Sequence, residues 1–349
     1  MNKIIEIKKR MIGQGHPAYI IAEMSANHAM EIDNAIKIIH LAKQSGADCI
    51  KIQTYTADTI TLDSRKEYFM INGGTWDGYN LHDLYKEAFT PWEWQKRLKE
   101  EADKVGIDFF STPFDLSAVD FLEELGVEFY KIASFELTQV PLIKYVASKG
   151  KPIIMSTGMG TLEEIAEAVK AVEAEGNNNL CLLRCSSAYP AVPDDMNLKT
   201  IQDMFERFGV PIGLSDHSLG SVGALTAVVL GASVIEKHFC ISREIKNPDS
   251  TFSMEPHEFK QMVEDIRTAE KAIGKVNYEL TESEKGNRIF RQSIWVDKDI
   301  KKGETITKEN IRVARPGYGL EPKYFEGVLG KRAKQDLEFG MPLNWEMIE

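Results

Sequence analysis

The sequence predicts a (β/α)8 barrel, or TIM barrel, followed by a small β-rich C-terminal domain. Short apolar, β-rich runs alternate eight times with amphipathic helical stretches between Ala18 and about Gly274. This alternation is typical of a parallel sheet covered by helices. No G-x-G-x-x-G motif follows the first run, which disfavours an open dinucleotide-binding sheet. After about Phe290 the sequence changes in character and contains a repeat.

The eight predicted strands are almost continuously apolar. They are "AYIIAEMSA", "DCIKIQTY", "IDFFSTPF", "FYKIASFE", "KPIIMSTGM", "LCLLRCSSAYP", "PIGLSDHS" and "SVIEKHFCI". Helical stretches such as "NAIKIIHLAKQSG" lie between them, with apolar residues three or four positions apart. We assign residues 1–280 to the barrel, 281–289 to a linker and 290–349 to the second domain.

One connection, Thr56 to Pro91, is longer than a barrel loop usually is. Its aromatic residues and its Gly73–Gly74 pair suit a wall or lid on the substrate side, and long loops on barrels tend to be functional. A packed surface excursion is the alternative.

The C-terminal repeat consists of "DIKKGETITKENI" and "DLEFGMPLNWEMI". It superposes Gly303 on Gly340 and Ile306 on Leu343, which predicts a small module with two similar halves. Chance similarity is the alternative.

The net charge of −11 arises from 53 acidic and 42 basic residues. It disfavours a nucleic-acid partner or binding to an anionic membrane surface. We see no signal peptide and no apolar run long enough to span a bilayer. A cytoplasmic protein is therefore expected, with its four cysteines reduced.

Polar residues gather where each predicted strand ends, which is where active sites of TIM barrels lie. They are Glu23, Asn27, His28, Lys51, Gln53, Thr112, Lys131, Ser134, Glu136, Ser156, Thr157, Ser186, Ser187, Tyr189, Ser215, Asp216, His217, Glu236 and His238. A barrel that only had to fold would not need so many polar groups at one rim.

Two lysines from separate strands, Lys51 and Lys131, predict a site for a phosphate or for a phosphate and a carboxylate. Lysine supplies positive charge, and hydroxyl groups complete the hydrogen bonds of the anion. The hydroxyls placed to do so are those of Thr112, Ser134, Ser156 and Ser215. For either lysine alone, a partly buried ion pair is the alternative.

Two histidines, His217 and His238, end adjacent strands, so their rings can converge on one divalent ion. Imidazoles suit Mn²⁺, Fe²⁺, Co²⁺ or Zn²⁺. Core histidines satisfied by hydrogen bonds are the alternative. Glu236 points to the same side of its strand as His238 and could orient a substrate hydroxyl or a water.

Several motifs in order resemble the sialic acid synthase group of phosphoenolpyruvate-condensing enzymes. They are "AEMSANH", "KIQTYT", "FFSTPFD", "YKIASFE", "STGM", "GLSDHS", "IEKHF" and "RPGYG". The resemblance covers nearly the whole chain and implies that the second domain is an SAF (antifreeze-like, β-clip) domain. Within the group, "INGGTWDGYNLHDLYKEAFTPWEW" is most similar to members that use 2,4-diacetamido-2,4,6-trideoxy-L-altrose. Members that use N-acetylmannosamine or a related hexosamine are the alternative.

The resemblance implies a metal-dependent condensation of phosphoenolpyruvate with the aldehyde form of an acetamido sugar, releasing phosphate. It implies catalytic roles for Glu23, Lys51, Lys131, His217, Glu236 and His238, with Mn²⁺, Mg²⁺ or Co²⁺ on the two histidines. It places phosphoenolpyruvate on Lys51, Thr112, Lys131, Ser134, Ser156, Ser187 and Ser215, and the sugar on Glu23, Gln53, Tyr189, Asp249 and Arg315.

The resemblance also implies a domain-exchanged homodimer, in which Arg315 of one subunit reaches the sugar in the barrel of the other. Two residues depart from the group's pattern: Met30 replaces a frequent glycine, and Ser187 replaces the asparagine of sialic acid synthases. A metal-dependent aldolase that uses pyruvate, or a non-catalytic sugar-binding module, are the alternatives outside the group.

Overall fold

The computed structural model describes all residues from 1 to 349. The chain divides into two compact units, Met1–Gly274 and Lys275–Glu349, which are described separately. In the first unit, eight parallel strands form a closed barrel that follows an N-terminal hairpin. The hairpin and barrel strands are β1 (Ile4–Ile7), β2 (Arg10–Gly13), β3 (Tyr19–Glu23), β4 (Cys49–Thr54), β5 (Asp108–Pro113), β6 (Tyr130–Ile132), β7 (Ile153–Ser156), β8 (Leu180–Cys185), β9 (Ile212–Asp216) and β10 (Val234–His238). The predicted TIM barrel is confirmed.

Helices surround the barrel, and their apolar sides pack on the outer face of the strands to form the larger core. Local signals define their ends: the helix Leu162–Ala174 starts at a capping box of Thr161 and Glu164, and Gly106 ends the helix Trp92–Val105 in a left-handed conformation. No helix is both long enough and apolar enough to cross a bilayer. The helices are α1 (Ile32–Gln44), α2 (Ala57–Ile60), α3 (Leu81–Ala88), α4 (Trp92–Val105), α5 (Leu116–Leu125), α6 (Val140–Ser148), α7 (Leu162–Ala174), α8 (Pro193–Met196), α9 (Thr200–Phe208), α10 (Val222–Val229), α11 (Pro256–Ile273), α12 (Glu282–Lys285) and α13 (Phe325–Val328).

The barrel interior has an apolar layer below a polar one. The apolar layer consists of Tyr19, Ile21, Cys49, Phe110, Phe129, Ile154, Cys181, Leu183 and Val234, plugged from below by Ile5, Ile7 and Ile12 of the hairpin. Side chains two positions apart on a strand face the same side. Two residues beyond members of the apolar layer stand Glu23, Lys51, Thr112, Lys131, Ser156, Cys185 and Glu236. Strand alternation therefore aims this polar set into the C-terminal mouth of the barrel.

Several predicted strands run longer than the observed ones. The tails "SA" and "SFE" of two predicted strands lie in short 3-10 helices, Ser25–His28 and Ser134–Glu136, instead of extended strand. Polar side chains of these tails therefore turn across the mouth of the barrel. The sequence offered no glycine or proline at these points to mark where the strands end.

The turn after β3 contains Met30, the residue that replaces a frequent glycine. Its φ of 55° lies in the left-handed region, which glycine adopts without strain. We expect Met30→Gly to raise the free energy of unfolding by about 1 kcal/mol, measured by urea denaturation. Met70 is a matched control, because it is equally exposed but has a φ of −98°. Met70→Gly should lower the stability, and equal effects of both substitutions would contradict the strain at Met30.

The second unit, Lys275–Glu349, contains an antiparallel pair, β11 (Ser293–Val296) and β12 (Ile311–Ala314), and shows the predicted repeat. Val296 pairs with Ile311, and the equivalent residues of the second half, Ala333 and Ile348, pair in the same way. The turn glycines of the two halves have φ values of 82° and 83°. The core of this unit is formed by apolar residues of both halves. The predicted pseudo-symmetry is thus present in the structure.

Candidate active site

The parallel register brings the predicted barrel residues to one rim, formed by the carboxyl ends of β3–β10. Glu23 pairs with Lys51 on one side and with His238 on the other, which closes the barrel. Glu236 pairs with Ser215. The rim gathers Glu23, Lys51, Gln53, Thr112, Lys131, Ser134, Ser156, Ser187, Tyr189, Ser215, His217, Glu236, His238 and Asp249. Arg315 belongs to the second unit, where it is exposed.

Two buried lysines meet around one carboxylate at the centre of this rim. Lys51 Nζ donates to Glu236 Oε1 at 2.6 Å and lies 3.3 Å from Glu23 Oε2. Lys131 Nζ lies 3.8 Å from the same Glu236 oxygen and donates to Ser156 Oγ at 2.6 Å. Each lysine thus contacts a buried carboxylate, as in the ion-pair alternative, and the two lysines lie close enough to share one site.

The pKa values of this cluster are shifted in different directions. Burial raises the pKa of Glu23 to about 7, although Lys51 opposes the shift. It lowers the pKa of Lys131 to about 8. Burial alone would raise the pKa of Glu236, but Lys131 and Lys51 hold it below its ordinary value. At neutral pH the centre therefore contains two protonated lysines, an ionised Glu236 and a Glu23 that exchanges its proton readily.

Hydroxyl groups and a backbone N–H line the same side of the rim. Gly158 N donates to Ser134 Oγ at 3.1 Å. A Cβ at Gly158 would lie 2.1 Å from Ser187 Oγ and 2.7 Å from Ser134 Oγ, so a larger residue would displace these serine hydroxyls. Thr112 Oγ1 is buried without a hydrogen-bond partner. An anion placed here would meet donors on several sides.

The predicted sugar-side residues form a second group next to β3. Gln53 Nε2 donates to Glu23 Oε1 at 3.0 Å and to Ser25 Oγ at 2.9 Å, which orients the carboxyl of Glu23. Asp249 Oδ2 accepts from Ala26 N at 3.3 Å. Burial raises the pKa of Asp249.

His217 and His238 are neighbours whose ring centroids are 5.5 Å apart. His217 Nδ1 lies 3.1 Å from the carbonyl oxygen of Ser186, and donation to it fixes the tautomer that leaves Nε2 with a lone pair. His238 Nδ1 is buried without a hydrogen-bond partner. Burial lowers the pKa of His238 well below its ordinary value, which keeps that ring neutral as a metal ligand must be.

The pKa of His217, in contrast, is raised: burial opposes the charged ring, but Cys185 and the carbonyl oxygen of Ser186 favour it. The two histidines can hold a divalent metal as a pair of imidazole ligands, and the metal would displace a proton from His217. No group of three or more histidine, cysteine, aspartate or glutamate side chains is arranged around a common point. Further ligands of such an ion would come from substrate oxygens and water.

Aromatic side chains stand beside the histidines. The ring centroids of Tyr189 and His217 are 4.2 Å apart, and those of Phe252 and His238 are 5.0 Å apart. Trp76, from the long connection after β4, lies 5.3 Å from the ring of Tyr189. We call Trp76, Tyr189 and Phe252 the aromatic wall.

Sequence reasoning assigned no role to several residues of this site. Ser25 and Gly158 contact predicted residues, and Phe252 lies in the long loop after β10, where no pattern marks it. Glu136 was noted only as a strand-end residue. Burial raises its pKa to about 7, and its Oε2 has no hydrogen-bond partner. Its position two residues after Ser134, at the end of a predicted strand, was the available signal.

A TIM barrel whose rim concentrates buried lysines, carboxylates and histidines has the architecture of an enzyme. A family model described as the NeuB family matches residues 38–278, and a model for the SAF domain matches residues 291–349. The chain belongs to the NeuB family. The second domain is an SAF domain, as the resemblance implied.

Comparison with individual proteins gives the same result. The chain is 47% identical to a pseudaminic acid synthase of Campylobacter jejuni, over 92% of this chain and 94% of that protein. It is 38% identical to an N,N'-diacetyllegionaminic acid synthase of Legionella pneumophila, over 99% and 98% of the two chains. A crystal structure of N-acetylneuraminic acid synthetase from Leptospira borgpetersenii in complex with citrate matches with a TM-score of 0.73 and 33% identity, covering 82% of this chain and 95% of that one.

Proposed function

We propose that this chain is a pseudaminic acid synthase, which condenses phosphoenolpyruvate with 2,4-diacetamido-2,4,6-trideoxy-L-altrose and water to give pseudaminate and phosphate. The observation that carries the proposal is the pair of buried lysines around Glu236, beside His217 and His238. The choice of sugar is supported by the higher identity to the Campylobacter jejuni relative than to the Legionella pneumophila one.

Phosphoenolpyruvate, with its phosphate and carboxylate, would bind between Lys51 and Lys131. Hydroxyls satisfy its remaining oxygens, and they come from Thr112, Ser134, Ser156, Ser187 and Ser215. The unpartnered Thr112 Oγ1 supports this assignment, because a buried hydroxyl is normally hydrogen-bonded. The raised pKa of Glu23 limits the negative charge next to the anion.

A pH dependence follows from Lys131, whose pKa is lowered to about 8 by burial. A lysine carries its charge below its pKa, so kcat/KM for phosphoenolpyruvate should fall above pH 8, by up to about tenfold per unit. Rates of phosphate release from pH 7 to pH 10 would show this decline. In Lys131→Arg the decline should be absent, because arginine keeps its charge throughout this range. A wild-type profile that is flat to pH 10 would contradict this role of Lys131.

Enzymes of the NeuB family are generally metal-dependent. We infer that His217 and His238 hold a divalent ion, Mn²⁺, Mg²⁺ or Co²⁺. When bound, such an ion supplies a Lewis acid for the aldehyde oxygen of the sugar.

The sugar would lie against Glu23, Gln53, Tyr189 and Asp249, on the side of the rim that carries the histidines. In the reaction, C3 of phosphoenolpyruvate bonds to the aldehyde carbon, water adds to C2, and the bond between C2 and the phosphate oxygen breaks. One proton of the water ends on the new alcohol and the other on phosphate. Glu23 can accept and return such a proton near neutral pH, since its pKa is about 7.

We also propose a domain-exchanged homodimer, in which the SAF domain of one subunit covers the barrel of the other and brings its Arg315 to the sugar. Large apolar side chains on the loops after β6, β7, β8 and β9 support this arrangement. Phe135, Met159, Val192 and Leu219 are more than half exposed there, and so are Tyr318 and Phe339 of the SAF domain. The four barrel loops lie at the same end of the barrel, and large apolar side chains exposed together on one face are typical of an interface.

A cytoplasmic location is supported by the cysteines. All four are buried and unpaired, as is usual for proteins of a reducing compartment.

The experiment that tests the proposed function measures phosphate release from phosphoenolpyruvate with Mn²⁺ and identifies the sugar product by mass. 2,4-Diacetamido-2,4,6-trideoxy-L-altrose is compared with N-acetylmannosamine. Release with the altrose derivative alone is expected. Release with N-acetylmannosamine alone would mean that the chain is an N-acetylneuraminate synthase and not a pseudaminic acid synthase. Release with neither would favour a legionaminic acid synthase or a pyruvate aldolase.

A further inference from the structure

The long connection after β4 contains a hairpin whose tip reaches the aromatic wall. Ile71 N donates to Tyr79 O at 2.8 Å and Gly78 N donates to Ile71 O at 2.9 Å. Between these bonds, Gly73 and Gly74 have φ values of 85° and 76°, with open space where a Cβ would be. These left-handed glycines bend the tip without steric resistance. Backbone hydrogen bonds and the two glycines therefore determine the conformation of the tip.

Trp76 attaches the tip to the barrel loops. Its Nε1 donates to the carbonyl oxygen of Pro248 at 2.8 Å. The neighbouring Thr75 hydroxyl donates to the carbonyl oxygen of Tyr189. Trp76 is half-buried, whereas every other residue in 72–79 is exposed. This one side chain thus accounts for most of the contact between the tip and the loops beneath it.

Within the aromatic wall, Trp76 is the member farthest from the histidines. Tyr189 contacts the ring of His217, and Phe252 contacts the ring of His238. Trp76 contacts Tyr189 at 5.3 Å and Phe252 at 6.3 Å, measured between ring centroids. A molecule that reacts beside the histidines and extends along the wall would meet Trp76 at its far end.

We propose that Trp76 is a specificity-determining residue that contacts the C6 methyl group of the sugar and favours 6-deoxy over 6-hydroxy aldehydes. This inference rests on the proposed function, which places the aldehyde carbon beside the histidines. C6 is the opposite end of the open-chain sugar. An aromatic ring gains by burying a methyl group there, whereas a hydroxyl group would lose hydrogen bonds to water.

An apolar contact can favour the 6-deoxy sugar over the 6-hydroxy sugar only to a limited extent. A hydrophobic pocket rejects a ligand that adds one hydroxyl by about 100-fold at most. We therefore expect the wild-type enzyme to prefer the 6-deoxy sugar by about 10- to 100-fold in kcat/KM.

The test compares two aldehydes that differ only at C6: 2,4-diacetamido-2,4,6-trideoxy-L-altrose and its 6-hydroxy counterpart. Trp76→Ala should raise KM for the deoxy sugar at least about tenfold and reduce the preference to about threefold or less, with KM for phosphoenolpyruvate unchanged. Trp76→Phe keeps an aromatic face and should keep most of the preference. Trp76→Gln, similar in length but polar, should lose it.

Tyr68→Ala is the matched control, because Tyr68 lies in the same connection and is 80% exposed. It should leave both KM values unchanged. Unaltered preference in Trp76→Ala and Trp76→Gln, with the deoxy sugar still the wild-type substrate, would overturn the role of Trp76 alone. Use of N-acetylmannosamine by the wild type would overturn both this role and the proposed function, because that sugar carries a 6-hydroxyl group.

Discussion

Replacing His238 with alanine should abolish retention of Mn²⁺ and lower kcat by about 10³-fold or more. The imidazole ends β10 beside His217, is buried, and has an Nδ1 without a hydrogen-bond partner. Burial also lowers its pKa, so the ring is neutral and available as a ligand. With only two histidines at this point, loss of either leaves one protein ligand, and His217→Ala should have the same effect. Metal content after gel filtration and the rate of phosphate release measure the two consequences.

His40→Ala is a suitable control for these variants. His40 lies on α1, outside the barrel, and its Nε2 is 2.7 Å from Glu101 Oε1. It should retain full metal content and activity. A His238→Ala enzyme that is fully active and contains no metal would contradict the assignment of the ion to this pair.

The sequence predicted much of the site because parallel strands impose a period of two. In "IEKHF", Glu236 and His238 share one face of β10, and in "DCIKIQTY" Lys51 and Gln53 share one face of β4. Closure of the barrel then places these faces on a common interior. Once the strands were located, the inward-facing polar residues followed without knowledge of any side-chain contact.

The loop contributions could not be predicted in the same way. Trp76 reaches Tyr189 through a hairpin tip whose direction depends on the left-handed glycines Gly73, Gly74 and Gly78, and Phe252 lies in the long loop after β10. No periodicity links such residues to the strands they approach. The N-terminal hairpin was also missed, because β1 is only four residues long and buries only Ile5 and Ile7.

Lys237 shows a second limit, since the sequence gives no sign that this lysine is buried. It points outward from β10, away from the site, and pairs with Asp216 at 2.7 Å. Its Nζ also donates to the carbonyl oxygen of Ser218 at 2.6 Å. The partners come from the end of the neighbouring strand β9 and from the loop directly after it. The pairing of two strands cannot be predicted from the sequence of either strand alone.

Replacing Lys237 with methionine should lower the free energy of unfolding by about 3–5 kcal/mol, measured by urea denaturation. Methionine keeps the apolar length of the side chain but leaves the carboxylate of Asp216 buried without a counter-charge. Both members of the pair are at most 1% exposed, so water cannot replace the ammonium group. The hydrogen bonds from Ser218 to Asp216 Oδ1 remain, but they do not neutralise the charge.

Lys301→Met is the matched control, because Lys301 pairs with Asp336 at a similar 2.9 Å but is 78% exposed. Solvent screens that pair, and its loss should change stability by less than about 1 kcal/mol. Adding Asp216→Asn to Lys237→Met should recover part of the lost stability, since an amide accepts the bonds from Ser218 and carries no charge. Equal losses from Lys237→Met and Lys301→Met would mean that the buried pair contributes nothing beyond a surface one. A larger loss in the double variant than in Lys237→Met would show that the charge of Asp216 is needed for another contact.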